Sequence, residues 1–98
     1  MPTQSTDDLE VTSQDDGSLV VKGELDAGSA PILEAVIASD DWADGLVLDT
    51  ADVTFVDSRG LRCLILGAQE HAITLRNPSA NLRRLLELAG VLDLFTIE

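Results

Sequence analysis

Aromatic residues, cysteine and histidine are scarce in this 98-residue sequence, and each scarcity excludes certain kinds of core or site. Only 3% of the residues are aromatic, so leucine, valine, isoleucine and alanine must form the core. The single cysteine, Cys63, excludes an intrachain disulfide and favours a reducing, cytoplasmic setting. The single histidine, His71, leaves too few ligands for a typical zinc site and argues against a serine nucleophile with a histidine base.

Long hydrophobic runs are also missing. No apolar stretch approaches the ~20 residues that span a bilayer, and residues 1–8 are polar and acidic, unlike a secretory signal. We expect no membrane partner and a flexible segment over residues 1–8. A hydrophobic content of 45% and a mean hydropathy of +0.16 nevertheless exclude a disordered acidic tail. The remaining length, residues 9–98, suits a single domain.

Basic residues are outnumbered by acidic ones, six against 18, which gives a net charge of −12. Residues 1–57 contain 14 carboxylates and one base, Lys22, whereas residues 58–98 contain four carboxylates and five arginines. Phosphate backbones repel such a chain, so we expect no direct nucleic-acid partner. The acidic half is either a solubility device or a face that attracts a basic protein partner.

Hydrophobic patterns and turn residues predict one α/β domain with a mixed sheet and the order β-β-α-β-α-β-α-β. The first two strands flank the turn at residues 15–17 and should form an antiparallel hairpin. The other predicted elements are a helix over 27–39, a central strand over 46–48 buried on both faces, a helix over 58–69, a strand over 73–75, a helix that Asn77 and Pro78 open and Gly90 closes, and a strand over 94–97.

All three helices have a predicted apolar face, which in the first helix consists of Leu33, Val36 and Ile37. Helical spacing places four residues on one side of the second helix: Leu61, Leu64, Ile65 and Ala68. The same spacing places four residues on one side of the third helix: Leu82, Leu85, Leu86 and Ala89.

Three carboxylates, Asp49, Asp52 and Asp57, are predicted to end or follow the central strand. That edge of an open α/β sheet is where binding sites form. One interpretation is a magnesium pocket with an acceptor aspartate, as in response-regulator receivers; the other is solvated loop acids, which we favour for Asp52. A hydrolase is disfavoured because no Gly-x-Ser-x-Gly motif surrounds Ser58. We therefore expect no catalytic residue, no metal and no cofactor.

Ser58 lies at the predicted N-terminus of the second helix. A hydroxyl at this position can cap exposed backbone N–H groups, and the same donors favour an added phosphate. Arg62, one turn along the helix, could pair with that phosphate. From position alone, an ordinary N-cap serine is the simpler interpretation.

Three segments, in this order along the chain, resemble the motifs of one family: Gly23–Asp26 (GELD), Val53–Leu61 (VTFVDSRGL) and Asn77–Val91 (NPSANLRRLLELAGV). Together they are similar to STAS domains, and among these to the anti-sigma-factor antagonists, from about Leu9 to the last residue. The family commonly has a small residue where Arg59 stands and glycine where Arg62 stands.

The resemblance implies a protein that is not an enzyme but binds an anti-sigma factor with serine kinase activity. The unphosphorylated form would free the sigma factor, phosphorylation of Ser58 would break the complex, and a phosphatase would reset it. The residues expected to bind the partner are Asp26, Asp57, Ser58, Arg59, Gly60, Leu61 and Arg62. The alternative is a STAS accessory subunit of an ABC-type transporter, or another STAS interaction module.

Overall fold

The computed structural model describes residues 4–5 and 8–98, with side chains from residue 8 onward. Within these residues the strands are β1 (Gln4–Ser5), β2 (Leu9–Ser13), β3 (Leu19–Leu25), β4 (Leu46–Val56), β5 (Ile73–Arg76) and β6 (Thr96–Ile97). The helices are α1 (Ala30–Ala38), α2 (Ser58–Glu70) and α3 (Ala80–Leu88), and a short 3-10 helix spans Leu92–Leu94. None of the described helices is both long and apolar enough to cross a membrane.

The strands form one mixed sheet in chain order, β1-β2-β3-β4-β5-β6. β1, β2 and β3 are antiparallel neighbours, and β3 to β6 are parallel. Each parallel connection carries one α-helix and advances in the same direction, so right-handed crossovers place all three helices on one face. The predicted mixed sheet and element order are confirmed from β2 onward. β1 is an additional strand, and the expectation for the rest of residues 1–7 lies outside the described residues.

The hydrophobic core fills the space between the helices and the covered face of the sheet. In β4, Leu46 and Leu48 point into this core and are almost fully buried, whereas Val47 and Asp49 point to the other face and are half-buried. The prediction that this strand is buried on both faces is therefore wrong. Because the other face carries no helix, the strand alternates between buried and partly exposed positions.

Several predicted element boundaries are wrong; the last strand, for example, begins at Thr96 rather than at Leu94, which belongs to the 3-10 helix. The central strand continues to Val56, so Asp49 and Asp52 lie within it and only Asp57 follows it. The third helix begins at Ala80 rather than at Pro78, because Asn77 adopts a left-handed φ of 51° and Ser79 provides the cap. The Ser79 hydroxyl accepts a hydrogen bond from the Leu82 N–H at 3.3 Å.

Candidate functional site

The candidate site forms where β3 and β4 end side by side. Their last residues, Leu25 and Val56, are register partners in the parallel sheet. The next residues, Asp26 and Asp57, therefore begin two adjacent loops at the carboxyl edge of the sheet, although the sequence separates them widely. This register brings together two of the expected binding residues.

Asp57 joins the two loops through both of its carboxylate oxygens. Its Oδ1 accepts a hydrogen bond from the Gly60 N–H at 2.9 Å, and its Oδ2 accepts one from the Ala27 N–H at 3.2 Å. We call this pair of hydrogen bonds the Asp57 bridge. Asp57 is therefore the N-cap of α2, and the interpretation of Ser58 as the cap is wrong. Ser58 is instead the first helical residue.

The Asp26 side chain is engaged in the turn that leads into α1. Its Oδ1 accepts hydrogen bonds at 3.0 Å from the N–H groups of Gly28 and Ser29. The fully buried Ser29 donates its hydroxyl to the Glu24 carbonyl at 2.6 Å. These bonds make residues 27–29 a turn, so α1 starts at Ala30 rather than at Ala27. The Asp-x-x-Ser spacing is the sequence signal that could have identified this turn.

Gly60 allows α2 to pack against the end of β3. A Cβ atom at this position would lie 2.8 Å from Leu25 Cγ and 2.9 Å from the Leu25 carbonyl carbon, and closer still to the carbonyl oxygen. Gly60 is buried, and its close approach to Leu25 positions the loop. Leu61 is half-buried and packs against the core.

The exposed groups of the site are Ser58, Arg59 and Arg62. Arg59 Nη2 contacts Glu34 Oε1 on α1 at 3.1 Å, a partner that sequence reasoning missed because only the packing of α1 against α2 places it there. Within residues 8–98 the Ser58 hydroxyl and the Arg62 guanidinium make no hydrogen bond or ion pair. Ser58 and Arg62 are separated by one helical turn and project from the same side of α2.

The chemistry available here is that of an exposed hydroxyl at a helix N-terminus. The described residues contain no group of three or more histidine, cysteine or carboxylate side chains arranged to bind a metal. Burial, and secondarily the charge of Glu34, raises the pKa of the Cys63 thiol to about 12, which keeps it protonated and unreactive. The N–H groups of Ser58 and Arg59 occupy the first helical positions, where no intrahelical acceptor exists.

The family model described as "Mlab, STAS domain" matches residues 10–96. No curated protein matches the chain. Among solved structures, the chain is similar to an anti-sigma factor antagonist from Mycobacterium paratuberculosis, with 26% identity and a TM-score of 0.69 over 97% of this chain and 80% of that one.

Two structures of SpoIIAA share the fold at 18% identity. The unphosphorylated anti-sigma factor antagonist SpoIIAA matches with a TM-score of 0.70 over 92% of this chain and 87% of that one. The phosphorylated form of SpoIIAA, described as a Bacillus cell fate determinant, matches with a TM-score of 0.64 over 92% of this chain and 90% of that one. With the family model matching almost its full length, the chain belongs to the STAS domain family, and it shares the fold of that family's anti-sigma factor antagonists.

Proposed function

We propose that this chain is an anti-sigma factor antagonist that binds an anti-sigma factor with serine kinase activity, and that phosphorylation of Ser58 ends the binding. The observation that carries the proposal is an exposed Ser58 at the first position of α2, with no intramolecular bond to its hydroxyl in residues 8–98. The likeness to an anti-sigma factor antagonist at 26% identity, and a fold shared with both forms of SpoIIAA, support it.

In the phosphorylation step, the Ser58 hydroxyl oxygen attacks the γ-phosphorus of ATP bound to the kinase. The new O–P bond forms as the bond to ADP breaks, and a kinase carboxylate takes the hydroxyl proton. The Asp57 bridge ties the start of α2 to the loop after β3, which holds the backbone of Ser58 at the helix N-terminus. The free N–H groups of the first turn and the Arg62 guanidinium stabilise the product phosphate.

The phosphate acts against the partner by charge and size. It adds about −1.5 to −2 charges where Asp26 and Asp57 are already negative. One phosphate charge ~6 Å from a magnesium-binding carboxylate of the kinase is repelled by ~3 kcal/mol at an effective dielectric of 20. That repulsion lowers affinity by about a hundredfold. Because Ser58 points outward, the fold itself should remain unchanged.

Two variants of the chain test the proposal. The Ser58→Ala chain cannot be switched off, so as bait it should retain the kinase from the source cells. With the recovered kinase and ATP, the wild-type chain should take up one phosphate and Ser58→Ala none. Ser39→Ala is the matched control, since Ser39 is exposed at the end of α1. Labelling of Ser58→Ala would refute the assignment. Recovery of a transporter ATPase instead would favour the transporter-subunit alternative.

The local nature of the switch is tested by amide spectra. We expect the phosphoprotein to show shifts confined to the loops after β3 and β4 and to the first turn of α2. Ser58→Asp should reproduce only part of the loss in affinity, because it adds one charge and a different shape. Shifts spread over the whole sheet, or undiminished binding by the phosphoprotein, would contradict the mechanism.

A further inference from the structure

An apolar groove of about 430 Å³ lies between the end of β4 and helix α3. Two of its residues are large hydrophobic residues with unusually high exposure: Phe55 is 49% exposed and Leu88 is 75% exposed. The groove is lined by Phe55, Val56, Asn81, Arg84, Leu85 and Leu88. Val56 precedes Asp57 directly, so the groove reaches the Ser58 loop.

The walls of the groove are fixed by hydrogen bonds. Asn81 Nδ2 donates to the Thr54 carbonyl at 3.0 Å, and the Ser79 N–H donates to the Thr50 carbonyl at 3.2 Å. These bonds tie α3 to the edge of β4 beyond the last register pair with β5. Because α3 occupies that edge, a partner strand cannot extend the sheet here. An apolar groove of this kind suits an amphipathic helix, which lays its apolar face into the groove.

The charge of the groove differs from that of four other cavities on the surface. Arg84 is its one charged lining residue, and within residues 8–98 it makes no ion pair. Four other cavities of the described residues each include at least two carboxylates: Glu34 and Glu70; Glu87 and Asp93; Asp16, Asp40, Asp41 and Asp44; and Asp15, Asp16 and Asp49. On a chain of net charge −12, the groove therefore favours an apolar segment that carries a carboxylate.

We propose that this groove receives an amphipathic helix of the kinase partner. Two apolar side chains of that helix contact Phe55 and Leu88, and one carboxylate pairs with Arg84. This inference rests on the proposed function, and it adds a docking surface separate from the phosphorylated serine. A second copy of this chain is a poorer occupant, because two copies with a net charge of −12 each repel one another.

The test compares Leu88→Gln with Leu94→Gln in binding to the kinase recovered on the Ser58→Ala chain. Both leucines are exposed, at 75% and 46%, and only Leu88 lines the groove. We expect Leu88→Gln to weaken binding about thirtyfold, equivalent to about 2 kcal/mol, and Leu94→Gln to leave it unchanged. Arg84→Gln should weaken binding less, and its effect should fade at high salt.

The outcomes separate the docking surface from the switch. Unchanged binding by both Leu88→Gln and Arg84→Gln, with Ser58 still phosphorylated, would overturn the proposal that the groove is a docking surface. The proposed function would remain intact. A wild-type chain that the kinase does not phosphorylate would instead refute the proposed function and this inference with it. Sedimentation of the wild-type chain as a dimer and of Leu88→Gln as a monomer would assign the groove to a second copy, and would also overturn the inference.

Discussion

Gly60, in the first turn of α2, and Thr50, within β4, are two residues whose surroundings favour opposite kinds of substitution. Gly60 has Leu25 against the place where a Cβ would lie. Thr50 is 2% exposed in β4, and its hydroxyl has no hydrogen-bond partner among the described residues. At position 60 there is no space for a side chain, so adding one should lower the stability of the fold. At position 50 the buried hydroxyl is unpaired, so removing it should not lower stability.

Gly60→Ala should destabilise the fold and weaken partner binding together. The added methyl group forces the backbone of α2 away from β3, and overpacking of this kind costs ~1–3 kcal/mol. Chemical denaturation measures the loss. Gly28→Ala is the control, because a Cβ at Gly28 would meet only Asp26 Oδ1, at 3.4 Å. If Gly60→Ala were as stable as Gly28→Ala, the close approach to Leu25 would not restrict this position.

Thr50→Val should leave stability unchanged or raise it by up to ~1 kcal/mol. Valine has nearly the shape of threonine, and it removes a buried hydroxyl that has lost its water without gaining a partner. Thr50→Ser keeps the hydroxyl but removes a methyl group, so it should be destabilising. A clear loss of stability in Thr50→Val, measured by denaturation, would show that the hydroxyl is paired in solution.

At the scale of secondary-structure elements, one arginine connects three parts of the chain. Arg76, at the end of β5, contacts Asp16 in the β2–β3 turn at 3.3 Å and Glu98 at the C-terminus at 2.8 Å. Asp16 Oδ1 also accepts hydrogen bonds from the hydroxyl and the N–H of Ser18, at 2.6 and 2.9 Å. These Ser18 hydrogen bonds, aided by Arg76, lower the pKa of Asp16 from 3.8 to about 2.

This lowered pKa predicts an acid dependence of stability. Because the carboxylate is favoured in the folded state, its contribution is complete above the unfolded pKa of about 4 and is lost as the pH falls towards 2. Asp16→Asn should therefore lose less stability than wild type between pH 4 and pH 2. The control is Asp15→Asn, since Asp15 makes no hydrogen bond or ion pair in residues 8–98. Parallel pH profiles of unfolding midpoints for Asp16→Asn and wild type would contradict the prediction.

At the scale of the whole molecule, the fold separates the densest acidic cluster from Ser58. Asp16, Asp40, Asp41 and Asp44 line one cavity beside the start of β4, whereas Ser58 follows the end of that strand. Eleven residues of β4 span ~33 Å, several times the Debye length of ~8 Å at physiological ionic strength. The cluster can therefore act on a partner near Ser58 only when little salt is present.

The double variant Asp41→Asn/Asp44→Asn, which removes two charges of this cluster, tests this separation. For a partner of net positive charge, it should lower the association rate at 10 mM salt but not at 150 mM, because the Debye length shrinks from ~30 to ~8 Å. The wild-type rate should also fall as salt increases. The carboxylate paired with Arg84 acts only at contact, so it is compatible with a partner that is basic overall. A wild-type rate that does not change with salt would leave solubility as the role of the acidic half.

Local sequence patterns were sufficient to predict those elements that are formed by interactions between residues close in sequence. The hairpin of β2 and β3, the glycine that closes α3 and the order of elements depend on alternation, turn residues and helix-ending residues, all of which act over a few positions. The motif around Ser58 also indicated the right family, since the residues of that motif are contiguous in sequence.

Only the tertiary structure decided which face of α2 is buried. Hydrophobic spacing placed Leu61, Leu64, Ile65 and Ala68 on one face. Leu64 is buried and Leu61 and Ala68 pack partly buried against the core, but the other buried residues of α2 are Gly60, Cys63 and Gly67. The two glycines let the helix approach Leu25, Ile37 and Ile73 closely, because neither glycine has a side chain to hold the helix away. Likewise, the Asp57 bridge depends on the register of Leu25 against Val56, because that register brings two distant loops within hydrogen-bonding distance.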